Sequence, residues 1–261
     1  MAEKTELKTV VITGGATGIG YKTAETLLKT GSYKVILAGH ERPKLEEAQK
    51  QLSRLEGAPE RSVQIVTCDL RQESQITKAI EKILDLDDSI YGLVNNAGIY
   101  PFGSLENTTS ADWDQTLLVN LKAPFLFIQG LAKTLAKHPS GGRIVNLSST
   151  AGMLPNHFAL AYSVSKAALI QLTKTLAKEL GKDNINVNCV CPGIVRSPMH
   201  EAYHRSDREL EDFYLKKGAG FPLGRVGEPT DVANAIEFLL SEKSSWITGE
   251  VMVIDGGRLL L

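Results

Sequence analysis

Tyr162 and Lys166 stand four residues apart in the run Tyr162-Ser163-Val164-Ser165-Lys166, at the start of an amphipathic stretch spanning 161–180. On a helix this spacing sets the phenol and the ammonium one turn apart on a shared face. A free tyrosine, with a pKa of about 10, is a poor acid–base catalyst near neutrality. An ammonium beside it favours the phenolate and lowers that pKa, so the pair reads as a proton donor and acceptor. In isolation a tyrosine–lysine pair of this kind is an ordinary surface contact. It gains weight from what precedes it: Asn146-Leu147-Ser148-Ser149 closing one apolar run, Asn95-Asn96-Ala97-Gly98 closing an earlier one, and Asn120 inside the long helical stretch 113–137.

The second piece of chemistry lies near the N-terminus. Thr13-Gly14-Gly15-Ala16-Thr17-Gly18-Ile19-Gly20 links the first apolar run to the first amphipathic one. Glycines there let the backbone turn sharply and approach a pyrophosphate, which rests on the amides of the following helix. The spacing is Gly-x-x-x-Gly-x-Gly rather than Gly-x-Gly-x-x-Gly. A nucleotide-triphosphate loop requires lysine directly after its last glycine. Tyr21 occupies that place and Lys22 comes one residue late, which excludes the kinase and ATPase readings.

The elements that must hold these residues alternate regularly. Segments 9–13, 34–38, 63–67, 93–95, 143–147, 186–190 and 251–254 are short and apolar, several of them β-branched and nearly continuous, as strands buried on both faces are. Between them, 20–30, 44–55, 75–84, 113–137, 161–180 and 229–240 read as helices. The alternation implies an α/β fold with a parallel, doubly wound sheet, in one domain, since no linker or repeat interrupts it. Residues 198–222 break the rhythm. They carry His200, Tyr203, His204, Phe213 and Tyr214 among many charges and read as a helical lid beyond a strand's carboxyl end, or else as a surface excursion.

Bulk properties narrow the partners. A chain of 261 residues with 43% apolar and 23% charged residues buries a core without disulfides or metals. A net charge of -1 gives no electrostatic case for nucleic acid or anionic membrane. No apolar run reaches the roughly 20 residues of a membrane span, and the N-terminus lacks the apolar stretch of a signal peptide. Cys189 and Cys191 share a strand face at i and i+2 without a histidine cluster, so these and Cys68 read as buried reduced thiols rather than metal ligands.

The glycine turn, Asn95–Gly98, Asn120, Asn146–Ser149 and Tyr162–Lys166, with Pro192-Gly193-Ile194-Val195-Arg196-Ser197 and Asp255-Gly256-Gly257, resemble in order the landmarks of the short-chain dehydrogenase/reductase family. The resemblance runs from about Thr9 to Gly257. It implies a Rossmann-type sheet of about seven strands in the order 3-2-1-4-5-6-7 with helices on both faces, and hydride transfer between a nicotinamide dinucleotide and a carbonyl/alcohol pair. It assigns catalysis to Asn120, Ser149, Tyr162 and Lys166, choosing Ser149 over Ser148 by its distance from the tyrosine and giving Asn120 a water that links Lys166 to solvent. Cofactor contacts fall on Gly14, Thr17, Gly18, Ile19, Gly20, Gly39, His40, Arg42, Asp69, Leu70, Asn96, Ala97, Gly98, Tyr162, Lys166, Pro192, Gly193, Val195 and Ser197. Asp69 and Asn96 meet the adenosine, Val195 and Ser197 the nicotinamide carboxamide.

The family's acidic ribose ligand is replaced by Gly39, followed by His40, Glu41 and Arg42. Losing the carboxylate removes repulsion toward a 2′-phosphate, and the two basic side chains supply attraction, which favours NADP(H) over NAD(H). Within the family the chain is similar to 3-oxoacyl-acyl carrier protein reductases and broad carbonyl reductases. The carrier-gripping arginines of the former fall at Ser140 and Asp183, which favours a small-molecule ketone, with the carrier-bound substrate as the alternative. Tyr100, Phe102, Met153, Leu154, His157 and Phe158 are candidates for the pocket wall. A catalytically silent nucleotide-binding regulator is the reading from another class, opposed by the presence of both Tyr162 and Lys166. The resemblance further implies a cytoplasmic homotetramer, or a homodimer, to which Leu259-Leu260-Leu261 would contribute.

Overall fold

The computed structural model describes residues 7–156, 158–201, 203 and 206–261. Its centre is a seven-stranded sheet in the order β3-β2-β1-β4-β5-β6-β7, parallel at every pairing. The strands are β1 (Lys8–Thr13), β2 (Tyr33–Gly39), β3 (Val63–Thr67), β4 (Ile90–Asn95), β5 (Gly142–Leu147), β6 (Ile185–Pro192) and β7 (Val251–Ile254). Both faces are buried, which explains the near-continuous apolar runs. Successive side chains point to opposite sides. Val10, Ile12, Val35 and Leu37 pack with Leu27, Leu28, Leu45 and Ile236 in one layer, whereas Val11 and Ile36 pack with Ile76, Ile83, Phe127 and Leu131 in the other.

The first layer is covered by α1 (Gly18–Lys29), α2 (Arg42–Leu52) and α9 (Pro229–Leu240). The second is covered by α3 (Glu73–Leu86), α5 (Ala123–Lys137) and α6 (Leu160–Leu180). The strand order reverses between β1 and β4. Ligands bind outside the carboxyl ends of the strands at such a switch point. The carboxyl ends carry Thr13, Gly39, Asn95, Leu147 and Pro192, so the glycine turn, Asn96–Gly98, Ser148–Ser149 and Gly193–Ser197 all emerge on one edge.

Two elements depart from the expectation. β4 begins at Ile90 and not at Leu93, with Gly92 inside the strand. A Cβ there would come within 3.1 Å of both Leu240 and Val10 side chains, so the glycine serves close packing between sheet and helix. The single helix expected over 113–137 is three pieces: α4 (Ser110–Leu117), a π turn at Leu118–Lys122, and α5. Pro124 follows at the second position of α5. It has no N–H to give the carbonyl four residues earlier, which belongs to Asn120.

Residues 198–222 contain α7 (Pro198–Glu201) and α8 (Asp207–Gly218), with His204 and Arg205 outside the described residues. This is not a solvated excursion. Tyr214, Phe221 and Val226 are buried together against Ile194, Leu210 and Phe213, a small core of their own. Arg196 lies 4.7 Å over the Tyr214 ring and pairs with Glu211 and Glu228.

Candidate active site

The glycine turn and the end of β4 are one hydrogen-bonded unit. Thr13 Oγ1 accepts from the backbone N–H groups of Asn96 and Ala97, each at 3.1 Å, and Asn96 Nδ2 donates to the carbonyls of Thr13 (2.9 Å) and Gly14 (3.1 Å). Gly18 takes a φ of +54°, which favours glycine. A Cβ on Gly20 would lie 2.3 Å from the Gly14 carbonyl oxygen, so α1 can start this close to the turn only without a side chain there. Thr17, at the N-cap of α1, makes no side-chain capping bond, and the first turn holds no acid. The helix therefore offers open amides and an uncancelled positive end, which fits the pyrophosphate of a dinucleotide. Ile19 packs inward against the first core layer.

At the outer end of this crevice His40 and Arg42 stand exposed after β2. His40 Nε2 is 3.4 Å from Glu41, and Arg42 Nε donates to Glu46 at 2.8 Å. Gly39, last in β2, accepts at its carbonyl from Cys68 N–H, which brings Asp69 and Leu70 beside it. Arg71 grips Asp69 through Nε and Nη2 at 2.8–3.1 Å and holds that carboxyl down at about 2. The opposite wall is Pro192–Ser197. Gly193 N–H donates to Ile254 at 2.9 Å, Val195 bridges to Gly227, and Ser197 N–H donates to Tyr214 Oη at 3.3 Å. Pro198 Cδ lies 3.3 Å from where a Gly18 Cβ would be, so this wall meets the glycine turn.

Between the two walls α6 presents Tyr162 and Lys166, 7% and 3% exposed. Lys166 Nζ sits 5.7 Å from the centre of the Tyr162 ring and donates to the Leu147 carbonyl at 2.7 Å. The Ser149 hydroxyl lies close enough to the Tyr162 phenol to lower its pKa and accepts from Ala151 N–H at 3.1 Å. Ser148 turns the other way and donates to the Lys166 carbonyl at 2.8 Å. Geometry thus separates the two serines, which residue types alone left open.

One expectation is reversed. The phenol is not made acidic by its neighbour in this arrangement: burial pushes Tyr162 up to about 12, and the contact with Ser149 opposes that without cancelling it. Burial likewise pushes Lys166 down to about 8. Both groups enter a nearly dry site, where each charged form loses its hydration. The ammonium is hydrogen-bonded to a backbone carbonyl instead of to the phenol oxygen.

Asn120 sits in the π turn, fully buried. Its side chain is committed to protein partners: Oδ1 accepts from Ile99 N–H at 2.9 Å, and Nδ2 donates to the Ile99 carbonyl (2.9 Å) and Ser165 Oγ (3.1 Å). Gly98 packs between this amide and the ammonium; a Cβ there would be 3.2 Å from Asn120 Oδ1 and 3.4 Å from Lys166 Nζ. Sequence reasoning missed the support beneath. Asn95 Nδ2 donates to Asn146 Oδ1 and Asn146 Nδ2 to Thr173 Oγ1, both at 2.9 Å, which ties β4, β5 and α6 together. Asparagines inside otherwise apolar buried strands were the available signal. Cys189 and Cys191 are buried free thiols with sulfurs 3.9 Å apart.

Ser140 and Asp183 precede β5 and β6, so they lie at the amino edge, away from this site. Of the proposed pocket wall, Tyr100 packs edge-on to Tyr162 with ring centres 4.5 Å apart, and Phe102 packs on Tyr100 at 5.3 Å. Met153, Leu154 and Phe158 are exposed on the loop that follows Ser149, and His157 is outside the described residues.

A family model described as enoyl-(acyl carrier protein) reductase matches residues 14–258. The chain is 38% identical to a 3-oxoacyl-[acyl-carrier-protein] reductase of Aquifex aeolicus over 98% of its length and 99% of the relative's. The chain belongs to the short-chain dehydrogenase/reductase family. It is also 36% identical to a 3alpha-hydroxysteroid dehydrogenase of Mediterraneibacter gnavus, covering 95% of this chain and 96% of that one. Among solved structures, L-sorbose reductase from Gluconobacter frateurii, complexed with NADPH and L-sorbose, superposes with a TM-score of 0.90 at 27% identity over all of both chains. This short-chain dehydrogenase/reductase is accordingly an oxidoreductase of carbonyl/alcohol pairs. Among the described residues no helix is long and apolar enough to cross a membrane, and no cluster could hold a metal ion.

Proposed function

We propose that this enzyme reduces a small-molecule ketone with NADPH, using Ser149, Tyr162, Lys166 and Asn120. The observation that carries the reading is the buried Ser149–Tyr162–Lys166 cluster, set at the switch point beside a glycine turn with open helix amides. When bound, the nicotinamide supplies the hydride to the carbonyl carbon. Tyr162, which is protonated at neutral pH, gives its proton to the carbonyl oxygen. Ser149 donates to that oxygen as negative charge grows on it, a role typically worth about 10²–10³ in rate. The phenolate left behind is stabilised by the Lys166 ammonium, which exchanges protons readily with its pKa near 8. Because Pro124 withholds a donor from the Asn120 carbonyl, that oxygen and not the committed side chain is the anchor for a water leading from Lys166 to solvent.

The preference for NADPH rests on Gly39, which leaves no carboxylate at the last position of β2, and on His40 and Arg42, which would turn from Glu41 and Glu46 to a 2′-phosphate. Residues 198–222 act as the lid, rooted on the glycine turn through Pro198. The enzyme works as a homotetramer or homodimer in the cytoplasm; a shallow apolar patch of Leu121, Phe125, Ala168 and Leu172 on the outer side of α5 and α6 suits a subunit contact. A second reading, reduction of a carrier-bound 3-oxoacyl thioester, is favoured by the name of the Aquifex relative. An NADPH-oxidation screen across ketones and acetoacetyl thioesters, repeated with NADH, tests all of this. A higher kcat/KM with NADH would overturn the cofactor assignment, a thioester of the carrier turned over with low-micromolar KM would replace the substrate reading, and no turnover of any carbonyl would refute the function.

A further inference from the structure

The crevice above Tyr162 ends in an aromatic and aliphatic rim whose parts are tied to one another. The Tyr203 hydroxyl donates to the Tyr100 carbonyl, and its ring packs edge-on to Phe102 with centres 4.4 Å apart and to Tyr100 at 6.1 Å. Tyr100 in turn lies edge-on to the Tyr162 ring at 4.5 Å, so a chain of stacked rings runs from the proton donor to the segment above it. Gly103 N–H donates to the Phe158 carbonyl at 2.9 Å and Leu160 N–H to the Gly103 carbonyl at 3.0 Å, which fastens the loop after β4 to the loop before α6. Asn156 Nδ2 reaches the Tyr100 hydroxyl at 3.3 Å across the same junction. Met153 and Leu154 fold back onto Thr150, directly after Ser149.

The rim is apolar and open. Phe102 is 56% exposed and Phe158 63%, with Met153, Leu154 and Tyr203 also exposed, and none of these side chains carries a charge. A contiguous exposed apolar patch bordering a catalytic group marks a place where apolar surface binds. The neighbouring arginines among the described residues each have a partner of their own. Arg196 pairs with Glu211 and Glu228, Arg225 with Asp231, and Arg258 donates to Thr150 at 3.1 Å. Against the uncharged side chains of the rim itself a carboxylate or phosphate would lose hydration without gaining a partner.

We infer that the rim of Tyr100, Phe102, Met153, Leu154, Phe158 and Tyr203 is the substrate site of an enzyme selective for uncharged, ring-bearing apolar ketones, with Tyr203 as the specificity-determining residue. The inference rests on the ketone-reductase reading above. The ring face of such a ketone takes the place beside Tyr100 and Phe102 that aromatic edges already favour. Its carbonyl reaches Ser149 and Tyr162; the carbon receives a hydride from NADPH and the oxygen a proton from Tyr162, giving the secondary alcohol and NADP⁺. Tyr203 closes over the ring and is released when its bond to the Tyr100 carbonyl breaks.

The test compares kcat/KM with NADPH for 2-tetralone, 2-butanone, 2-oxobutyrate and the acetoacetyl thioester of N-acetylcysteamine. Burial of the second ring's carbons predicts a preference for 2-tetralone over 2-butanone of at least about thirtyfold, with the anion 2-oxobutyrate the poorest. Tyr203→Ala and Phe102→Ala each reduce the tetralone-to-butanone ratio at least about fivefold, whereas Tyr203→Phe, which keeps the ring and loses only the latch, restores it to within about twofold. Calorimetry of 2-tetralol binding to the enzyme–NADP⁺ complex gives a negative heat-capacity change in wild type that shrinks in Tyr203→Ala. Equal or better turnover of butanone or oxobutyrate, a thioester preferred over tetralone, or a ratio that Tyr203→Ala leaves in place would each overturn the inference while the reductase assignment stands. A chain that binds NADP⁺ but reduces no carbonyl would overturn both.

Discussion

Replacing Lys166 with methionine removes one positive charge from a dry site while keeping most of the side-chain volume. The charge lies 5.7 Å from the centre of the Tyr162 ring. At an effective dielectric of about 20 its attraction for a phenolate is about 3 kcal/mol, equivalent to about two pKa units. The sign follows from which form is charged: the ammonium favours the phenolate, so its loss raises the phenol's pKa and leaves less base at any pH below it. Alcohol oxidation with NADP⁺ needs that base. Its kcat/KM in Lys166→Met should therefore be down about 100-fold below pH 8, where the wild-type lysine keeps its charge, and the deficit should narrow at higher pH as that lysine loses its own proton. The readout is the pH profile of kcat/KM from pH 6 to 10.5, using the alcohol of the best ketone in the screen. The variant also leaves the Leu147 carbonyl without its buried donor, a cost of about 1–3 kcal/mol visible in thermal unfolding. A deficit that does not narrow at high pH, however low the rate, would refute the electrostatic role and leave Lys166 only a structural one.

Further predictions address the surrounding parts. Ser149→Ala should lower kcat by about 10²–10³ with little change in stability. Ser148→Ala should instead lose about 1–3 kcal/mol of stability through the Lys166 carbonyl and leave kcat within about tenfold; reversed effects would show that the serines are misassigned. Gly20→Ala drives a methyl into the Gly14 carbonyl and should weaken NADP⁺ binding at least about tenfold by calorimetry and cost about 1–3 kcal/mol on unfolding; unchanged affinity would detach the turn from the cofactor. Pro124→Ala restores an N–H opposite the Asn120 carbonyl. It should slow kcat with an enlarged solvent isotope effect while KM and stability hold, and an unchanged isotope effect would remove that carbonyl from the proton path.

The Tyr162–Lys166 pair was legible because helix geometry turns a four-residue spacing directly into proximity, and the sheet was legible because strands buried on both faces show as unbroken apolar runs. What stayed hidden depends on contacts across elements. Ser148 and Ser149 were told apart only by the family's spacing to the tyrosine; the physical reason appears when α6 packs its Lys166 carbonyl against one of them. The start of β4 was hidden because the Leu240 and Val10 side chains that require Gly92 are distant in sequence. The sign of the Tyr162 shift was missed since adjacency to a lysine is readable and the loss of water around both groups is not. Pro124 was visible all along, and its place four residues after Asn120 was the available clue to the π turn.

The wall of the crevice touches the glycine turn at Pro198, and five residues later Tyr203 is fastened to Tyr100 above the proton donor. One short segment thus straddles the places proposed for both ligands. Any displacement that favours one ligand is felt by the other, and thermodynamic linkage makes the coupling reciprocal: the factor by which a ring alcohol tightens NADP⁺ must equal the factor by which NADP⁺ tightens the alcohol. Titrations of each ligand with and without the other would close that cycle, and cutting the fastening with Tyr203→Phe should bring the shared factor toward one.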